Sequence, residues 1–256
     1  MYMNNNDQCA RTDSEKMVKF SIIIPAYNEE KALKRCLDSI VAASAFYKDQ
    51  VEIIVVLNRC TDRTEEIALS YHCVTVKNDI KNISAIRNAG AQVARGEILI
   101  TVDADSWMAD NMLTEIENYL MMGKYIGGGV LLKLERSSLG IAITAMIFAF
   151  LLIVRYGFIS GSLFWCFKKD FDAIGGFDEN LRIAEDVDFA IRLKKWGEQC
   201  GKTFKNITEP PLMSSARKYD MFGDWYMIKK PRIILDYFWA GKKEKYADKL
   251  YYNVKR

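Results

Sequence analysis

Asp103 and Asp105 stand two residues apart at the end of an apolar run, Glu97-Ile98-Leu99-Ile100-Thr101-Val102. The run reads as a buried strand. At extended spacing, side chains at i and i+2 point to the same side, so both carboxylates face one region. Such a pair can hold one hard cation while leaving sites open for phosphate oxygens. A solvated acidic loop would carry the same residues, so the surrounding elements have to decide.

Those elements alternate. Phe20-Ser21-Ile22-Ile23-Ile24 is a first strand, stopped by Pro25, after which Ala32, Leu33, Cys36, Leu37, Ile40 and Val41 recur at helical spacing. Val51–Leu57 is a second strand; Asn58–Asp62 is a turn in which Thr61 is expected to cap the next helix. Val74–Val76 is a short third strand, Ile83–Val93 a helix, and 97–102 the fourth strand. Strand and helix in alternation predict a mostly parallel sheet with helices on both faces. Ligands of such sheets bind beyond the carboxyl ends of the strands. The segments to read are therefore 25–29, 58–62 and 103–106, all polar. No Gly-x-Gly-x-x-Gly follows the first strand and no Walker Gly-Lys-Ser/Thr is present, which disfavours dinucleotide and P-loop sites.

The chain has 256 residues, half of them hydrophobic, enough for one large domain with an ample core. A net charge of +3 gives no nucleic-acid signature. The charge is uneven: residues 217–256 carry 11 Lys/Arg against 5 Asp/Glu. That basic tail also holds Trp225, Tyr226, Tyr237, Phe238 and Trp239, a composition suited to peripheral contact with an anionic membrane or to a packed helix with a solvated basic end. The six cysteines are scattered without a Cys-x-x-Cys pair, and His72 is the single histidine. Neither a zinc site nor a disulfide framework follows, and reduced thiols in the cytoplasm are the default. Residues 1–18 are polar without an apolar core and are expected to form a disordered leader.

In the second half, Tyr125–Leu134 should be a strand, with Gly127, Gly128 and Gly129 permitting close backbone approach. Leu139–Val154 is sixteen uncharged residues, slightly short for a membrane span. A single crossing there would also put Asp103 and Asp105 on the opposite side of a bilayer from Glu185 and Asp186. A buried or interface-lying helix is expected instead.

Taken in order, Ile22-Ile23-Ile24-Pro25-Ala26-Tyr27-Asn28-Glu29, Arg87-Asn88-Ala89-Gly90, Asp103-Ala104-Asp105, Gly175-Gly176-Phe177-Asp178-Glu179 and Glu185-Asp186 resemble the family 2 glycosyltransferases of the GT-A fold, over roughly residues 19 to 218. The resemblance implies an α/β, GT-A-type nucleotide-sugar-binding fold, its mostly parallel central sheet flanked by helices, with a donor half at 19–106, an acceptor half at 107–218 and a basic, aromatic, helical extension at 219–256. It implies inverting transfer of a sugar from a nucleotide sugar to an acceptor hydroxyl, in glycolipid or surface polysaccharide synthesis, the acceptor being a carbohydrate or lipid-linked. Mn²⁺ or Mg²⁺ would be held by Asp105, with Asp103 facing the ribose or the metal.

By the same resemblance Pro25, Ala26, Tyr27 and Glu29 border the nucleoside, and Arg87 and Ala104 belong to the donor site. Asp186 is the general base, and Glu185 is the runner-up or an acceptor contact. Gly161 and Trp165 line the acceptor site; a core strand would use those residues equally well. The chain departs from the family in three places. Leu57-Asn58 replace a frequent pair of aspartates, so Asn58 would have to read the base; a UDP-sugar remains favoured. Arg217 and Lys218 occupy the region of a late histidine metal ligand and are expected to contact the diphosphate. Gln-x-x-Arg-Trp of processive members is absent, which favours single addition. A non-catalytic nucleotide-sugar-binding or scaffold protein is the alternative, and Asp186→Asn would separate the two.

Overall fold

A computed structural model describes residues 17–157 and 162–231. The expected leader up to Lys16, Gly161 and the tail from Arg232 onward lie outside the described residues.

The first strand, β1 (Phe20–Ala26), is fully buried and runs through Pro25 rather than stopping there. Its neighbour β4 (Ile98–Val102) pairs with it only as far as Ile23, so Pro25 stands past that ladder and its missing N–H costs nothing there. On the other side β1 pairs in parallel with β2 (Val51–Leu57), which pairs in parallel with β3 (Val74–Lys77). The chain thus steps outward from β1 to β3 and returns to β4 on the opposite side of β1. The loops after β1 and β4 diverge at that switch point, where open α/β sheets bind ligands.

Helices α1 (Leu33–Ala43), α2 (Thr64–Ser70) and α3 (Ile83–Val93) make the connections. The two-residue strand β5 (Ser106–Trp107) then leads to α4 (Met112–Met121) and the long β6 (Tyr125–Leu134). Next come α5 (Leu139–Tyr156), β7 (Leu163–Phe167), α6 (Lys168–Ala173), α7 (Glu185–Gln199) and β8 (Thr203–Ser214). Two short helices follow, α8 (Arg217–Phe222) and α9 (Tyr226–Lys229). The eight strands form one sheet in the order β3-β2-β1-β4-β7-β6-β8-β5. Pairing turns antiparallel at β4–β7 and β7–β6, parallel again at β6–β8 and antiparallel at β8–β5.

Strand alternation sorts the core into two faces. Phe20, Ile22, Ile24, Ile98, Ile100, Leu163 and Trp165 pack with α1, α2 and α4. Ile23, Leu99, Phe164 and Cys166 pack with α3, α6 and α7. Phe177 and Phe189 stack at 4.3 Å on that second face. α5 joins β6 to β7, and those strands pair with each other from Gly127–Cys166 to Gly129–Phe164. A membrane crossing by α5 would tear these partners apart, so it lies along the domain.

The glycines of β6 are needed for contact. A Cβ on Gly128 would meet the Lys205 carbonyl oxygen at 1.9 Å, and one on Gly127 would meet the Trp165 carbonyl oxygen at 2.4 Å. Both obstacles are backbone and cannot swing aside. Gly128→Ala should destabilise the fold by at least about 1–3 kcal/mol, the usual cost of overpacking. Urea denaturation would show a lowered midpoint; an unchanged midpoint would contradict this packing.

Candidate active site

The loops after β1 and β2 are tied to each other. Asn28 adopts left-handed backbone, and its side-chain oxygen accepts from the Thr61 N–H at 2.7 Å. The Glu29 N–H donates to the Thr64 hydroxyl at 2.7 Å, and the Glu30 N–H donates to Asp62 at 3.0 Å. Thr61 therefore does not cap α2. The N-cap position is Arg63, which makes no side-chain cap, and Asp62 before it accepts from the first helical N–H, that of Thr64, at 3.0 Å. Asn58 is buried; its amide donates to the carbonyls of Asn78 at 2.5 Å and Ile80 at 2.9 Å. Its oxygen accepts from the Arg59 guanidinium at 3.1 Å.

Arg87, on α3, is buried between two carboxylates. It donates to Asp103 at 2.9 Å and to Glu185 at 3.1 Å. Burial alone would lower its pKa; Asp103, Glu185 and Asp186 outweigh that and raise it. Arg217, at the start of α8, forms a second tie. It donates to Glu29 at 2.8 and 3.2 Å and to Asp105 at 2.8 Å, holding two strand-end loops to the far end of the chain. Its Nε is buried with no partner among the described residues, as is the Nε of Arg87.

Ala184 takes left-handed backbone (φ 60°) and turns the chain into α7. Glu185 and Asp186 thereby occupy the first turn, where helix N–H groups favour negative charge. Asp186 accepts from the Val187 N–H at 2.8 Å. Glu185 is fully enclosed. Burial and the neighbouring Asp186 push its pKa up to about 7, against the opposing pull of Arg87.

One cleft of about 840 Å³ brings these groups together. Pro25, Ala26, Tyr27, Glu29, Asn58, Arg87, Asp103, Ala104, Asp105, Glu185, Asp186, Arg217 and Lys218 all line it. Trp165 does not. It is wholly buried on the α4 face, stacked near Tyr119 at 6.3 Å, so the expectation that it lines the acceptor site is corrected in favour of the core strand. Strand parity decides this: Trp165 shares the face of Leu163 and Phe167, which pack into that core. Gly161 lies outside the described residues; Ser162 beside it lines the cleft. The Glu29–Arg217 tie was not read from the sequence, since 188 residues separate the partners. The cleft wall supplied by α5 was also missed.

Asp103 and Asp105 each give one carboxylate oxygen to an arginine and keep the other. Among the described residues no cluster of three His, Cys, Asp or Glu could hold a metal ion. Two carboxylates nevertheless suit Mg²⁺ or Mn²⁺ when substrate phosphates complete the shell. The donor set fits a cation that arrives with its diphosphate.

Residues 21–135 match the family model described as Glycosyl transferase family 2. The glycosyltransferase YdaM of Bacillus subtilis, named as probable, is 25% identical over 90% of this chain and 63% of its own length. The poly(ribitol-phosphate) beta-glucosyltransferase of Bacillus spizizenii is 31% identical over 40% of this chain and 17% of its own length. The chain thus spans a minor part of several curated relatives. Among solved structures, S. aureus TarS 1-349 superposes with a TM-score of 0.62 at 19% identity, covering 91% of this chain and 69% of that one. The mannosyltransferase PcManGT from Pyrobaculum calidifontis, in complex with GDP-Man and Mn²⁺, gives 0.59 at 20% identity, over 77% and 56%. The α/β fold is the GT-A fold of these glycosyltransferases. Residues 21–135 thus resemble glycosyl transferase family 2, and the whole chain shares its fold with glycosyltransferases of known structure.

Glu185 makes a pH signature. In the unfolded chain it titrates near the ordinary 4.5, in the folded protein at about 7. Between those values the folded state binds the extra proton, so this contribution to stability falls as pH rises through the window and is level above it. Glu185→Gln removes the slope. Thermal melts from about pH 5 to about pH 8 should show Tm falling less in the variant than in the parent; parallel slopes would contradict the placement.

Proposed function

We propose that this protein transfers a sugar, with inversion, from a nucleotide sugar to an acceptor hydroxyl. The observation that carries the reading is the shared cleft. The strand-end pair Asp103/Asp105 lies on one side, and Asp186, fixed at the N-terminus of α7, lies on the other. Asp186 takes the proton of the acceptor hydroxyl as its oxygen attacks the anomeric carbon. The bond from that carbon to the diphosphate breaks, and the nucleoside diphosphate leaves with the electron pair.

The leaving diphosphate needs positive charge. Arg217, which lines the cleft, would bring its charge to it, and Arg87 holds Asp103 in place rather than facing the phosphate freely. A bound Mn²⁺ or Mg²⁺ would supply further charge neutralisation, held by Asp105 with Asp103 beside it. Pro25, Ala26 and Tyr27 form the edge expected to face the nucleoside, and Asn58, which lines the same cleft, would read the base through its oxygen only by displacing Arg59. A UDP-sugar is the favoured donor: S. aureus TarS 1-349 was crystallised with UDP-GlcNAc, although PcManGT holds GDP-Man. Relatives named for poly(ribitol-phosphate) transfer support a role in making cell-surface glycoconjugates.

Asp186→Asn should lower transfer about 10²–10⁴-fold, the usual worth of a general base, while nucleotide binding persists. The check is nucleoside diphosphate release from UDP-glucose, UDP-N-acetylglucosamine and GDP-mannose in the presence of a bacterial membrane-lipid and polysaccharide extract. Turnover by the variant at the parent rate would remove Asp186 from the mechanism. Nucleotide binding by the parent without turnover of any donor would favour the scaffold reading.

A further inference from the structure

The cleft has two ends of different character. Its polar end holds the carboxylates and arginines described above. Its other end is walled by Ile141, Ala145, Phe148, Ala149 and Leu152, which recur along α5 at helical spacing, and by Leu132 and Leu134 of β6 opposite. Thr144 also lines this wall, but its hydroxyl donates to the Gly140 carbonyl at 2.8 Å and is already used. Polar groups in the lining here are confined to the rim, at Lys133, Arg136, Ser137 and Tyr219, so a carbohydrate held along the α5 wall would bury most of its hydroxyls against apolar side chains, which is costly. A hydrocarbon would not.

The outer face of α5 is apolar too. Leu139, Phe150, Ile153 and Val154 are exposed, and only Gly140, Ile141, Thr144 and Leu152 of its 18 residues are buried. A helix apolar all round and this exposed is out of place in water. α9 packs against it and presents Trp225 at its N-cap with Lys229 and Lys230 exposed, an aromatic and basic rim suited to anionic headgroups.

We infer that the acceptor is an amphipathic lipid drawn from an anionic bilayer surface. Its hydroxyl-bearing head lies at Asp186 and its hydrocarbon tail fills the lobe between α5 and β6. This rests on the transferase reading and names its acceptor class. The outer face of α5 lies on the bilayer, and its inner face receives the tail, so the substrate passes from one apolar phase to another without meeting water.

The test uses the full chain with UDP and Mn²⁺ present. Methyl, octyl and decyl β-D-glucosides, each below its micelle concentration, are titrated by calorimetry. Methyl glucoside should not bind measurably. Decyl should bind on the order of tenfold tighter than octyl, since each buried methylene is worth about fourfold. Ala149→Trp, which fills the lobe, should abolish the chain-length dependence and leave UDP binding unchanged. Ala145→Leu is the milder second variant and should weaken decyl glucoside several-fold if the tryptophan does not fold. Phe150→Ser should leave glucoside binding intact and reduce co-sedimentation with vesicles of equimolar phosphatidylcholine and phosphatidylglycerol. Affinity independent of chain length, or unchanged in both lobe variants, overturns the inference, as does co-sedimentation unaffected by Phe150→Ser. UDP binding without alkyl-glucoside binding sinks the lipid subsite alone; a parent chain that binds none of UDP, GDP, dTDP and CMP sinks the transferase reading beneath it.

Discussion

A buried guanidinium needs carboxylates beside it, and Arg87 draws two of them to one point of the site, although its Nε stays buried without a partner among the described residues. It is almost fully enclosed, and its partners Asp103 and Glu185 come from opposite halves of the chain. Removing one member of such a group leaves an unpaired charge in a low-dielectric interior, at about 3–5 kcal/mol. The end of β4 and the first turn of α7 are therefore locked to α3. Asp186 inherits its position from this lock, because it follows Glu185 at the same helix start. The geometry between the donor carboxylates and the expected base is thus set by packing, not by loops free to drift.

Arg217 does the corresponding work at the other edge. It holds Glu29 from the β1 loop and Asp105 from the β4 loop, the two loops that diverge at the switch point of the sheet. Glu29, Asp103, Asp105, Glu185 and Asp186 make the polar end rich in negative charge. An incoming diphosphate must meet positive charge there, and the two arginines are its fixed part. The lobe under α5 is different in kind, with shape and apolar surface but little to orient a polar group. A site with one electrostatic and one greasy end suits a reaction that joins a charged donor to a lipid-borne acceptor.

Much of this was legible in the sequence where the signal is local. Apolar runs marked β1, β2 and β4, and the bounds of α3 and β6 matched the periodic pattern because Asn82 caps the former and glycine spacing marks the latter. Asp103 and Asp105 stood out because a strand end fixes their direction. Trp165 misled because residue type suggests a stacking platform, whereas strand parity and topology place it in the α4 core. Thr61 is a competent cap by type, but α2 starts three residues later behind Arg63, and the partner loop engages Thr61 instead. Glu29 with Arg217 left no trace, since nothing local links residues so far apart. Composition made α5 apolar, but what it faces depends on β6, α9 and the cleft.

The most direct test of the central claim is calorimetric titration of UDP into the parent protein and into Asp105→Ala, each with and without Mn²⁺. The account predicts binding by the parent that Mn²⁺ strengthens, and loss of that strengthening in Asp105→Ala. Equal binding by both proteins irrespective of Mn²⁺ would mean that Arg217 and its neighbours carry the diphosphate alone. Absence of UDP binding under any condition, with GDP, dTDP and CMP also silent, would contradict the assignment of this cleft to a nucleotide sugar.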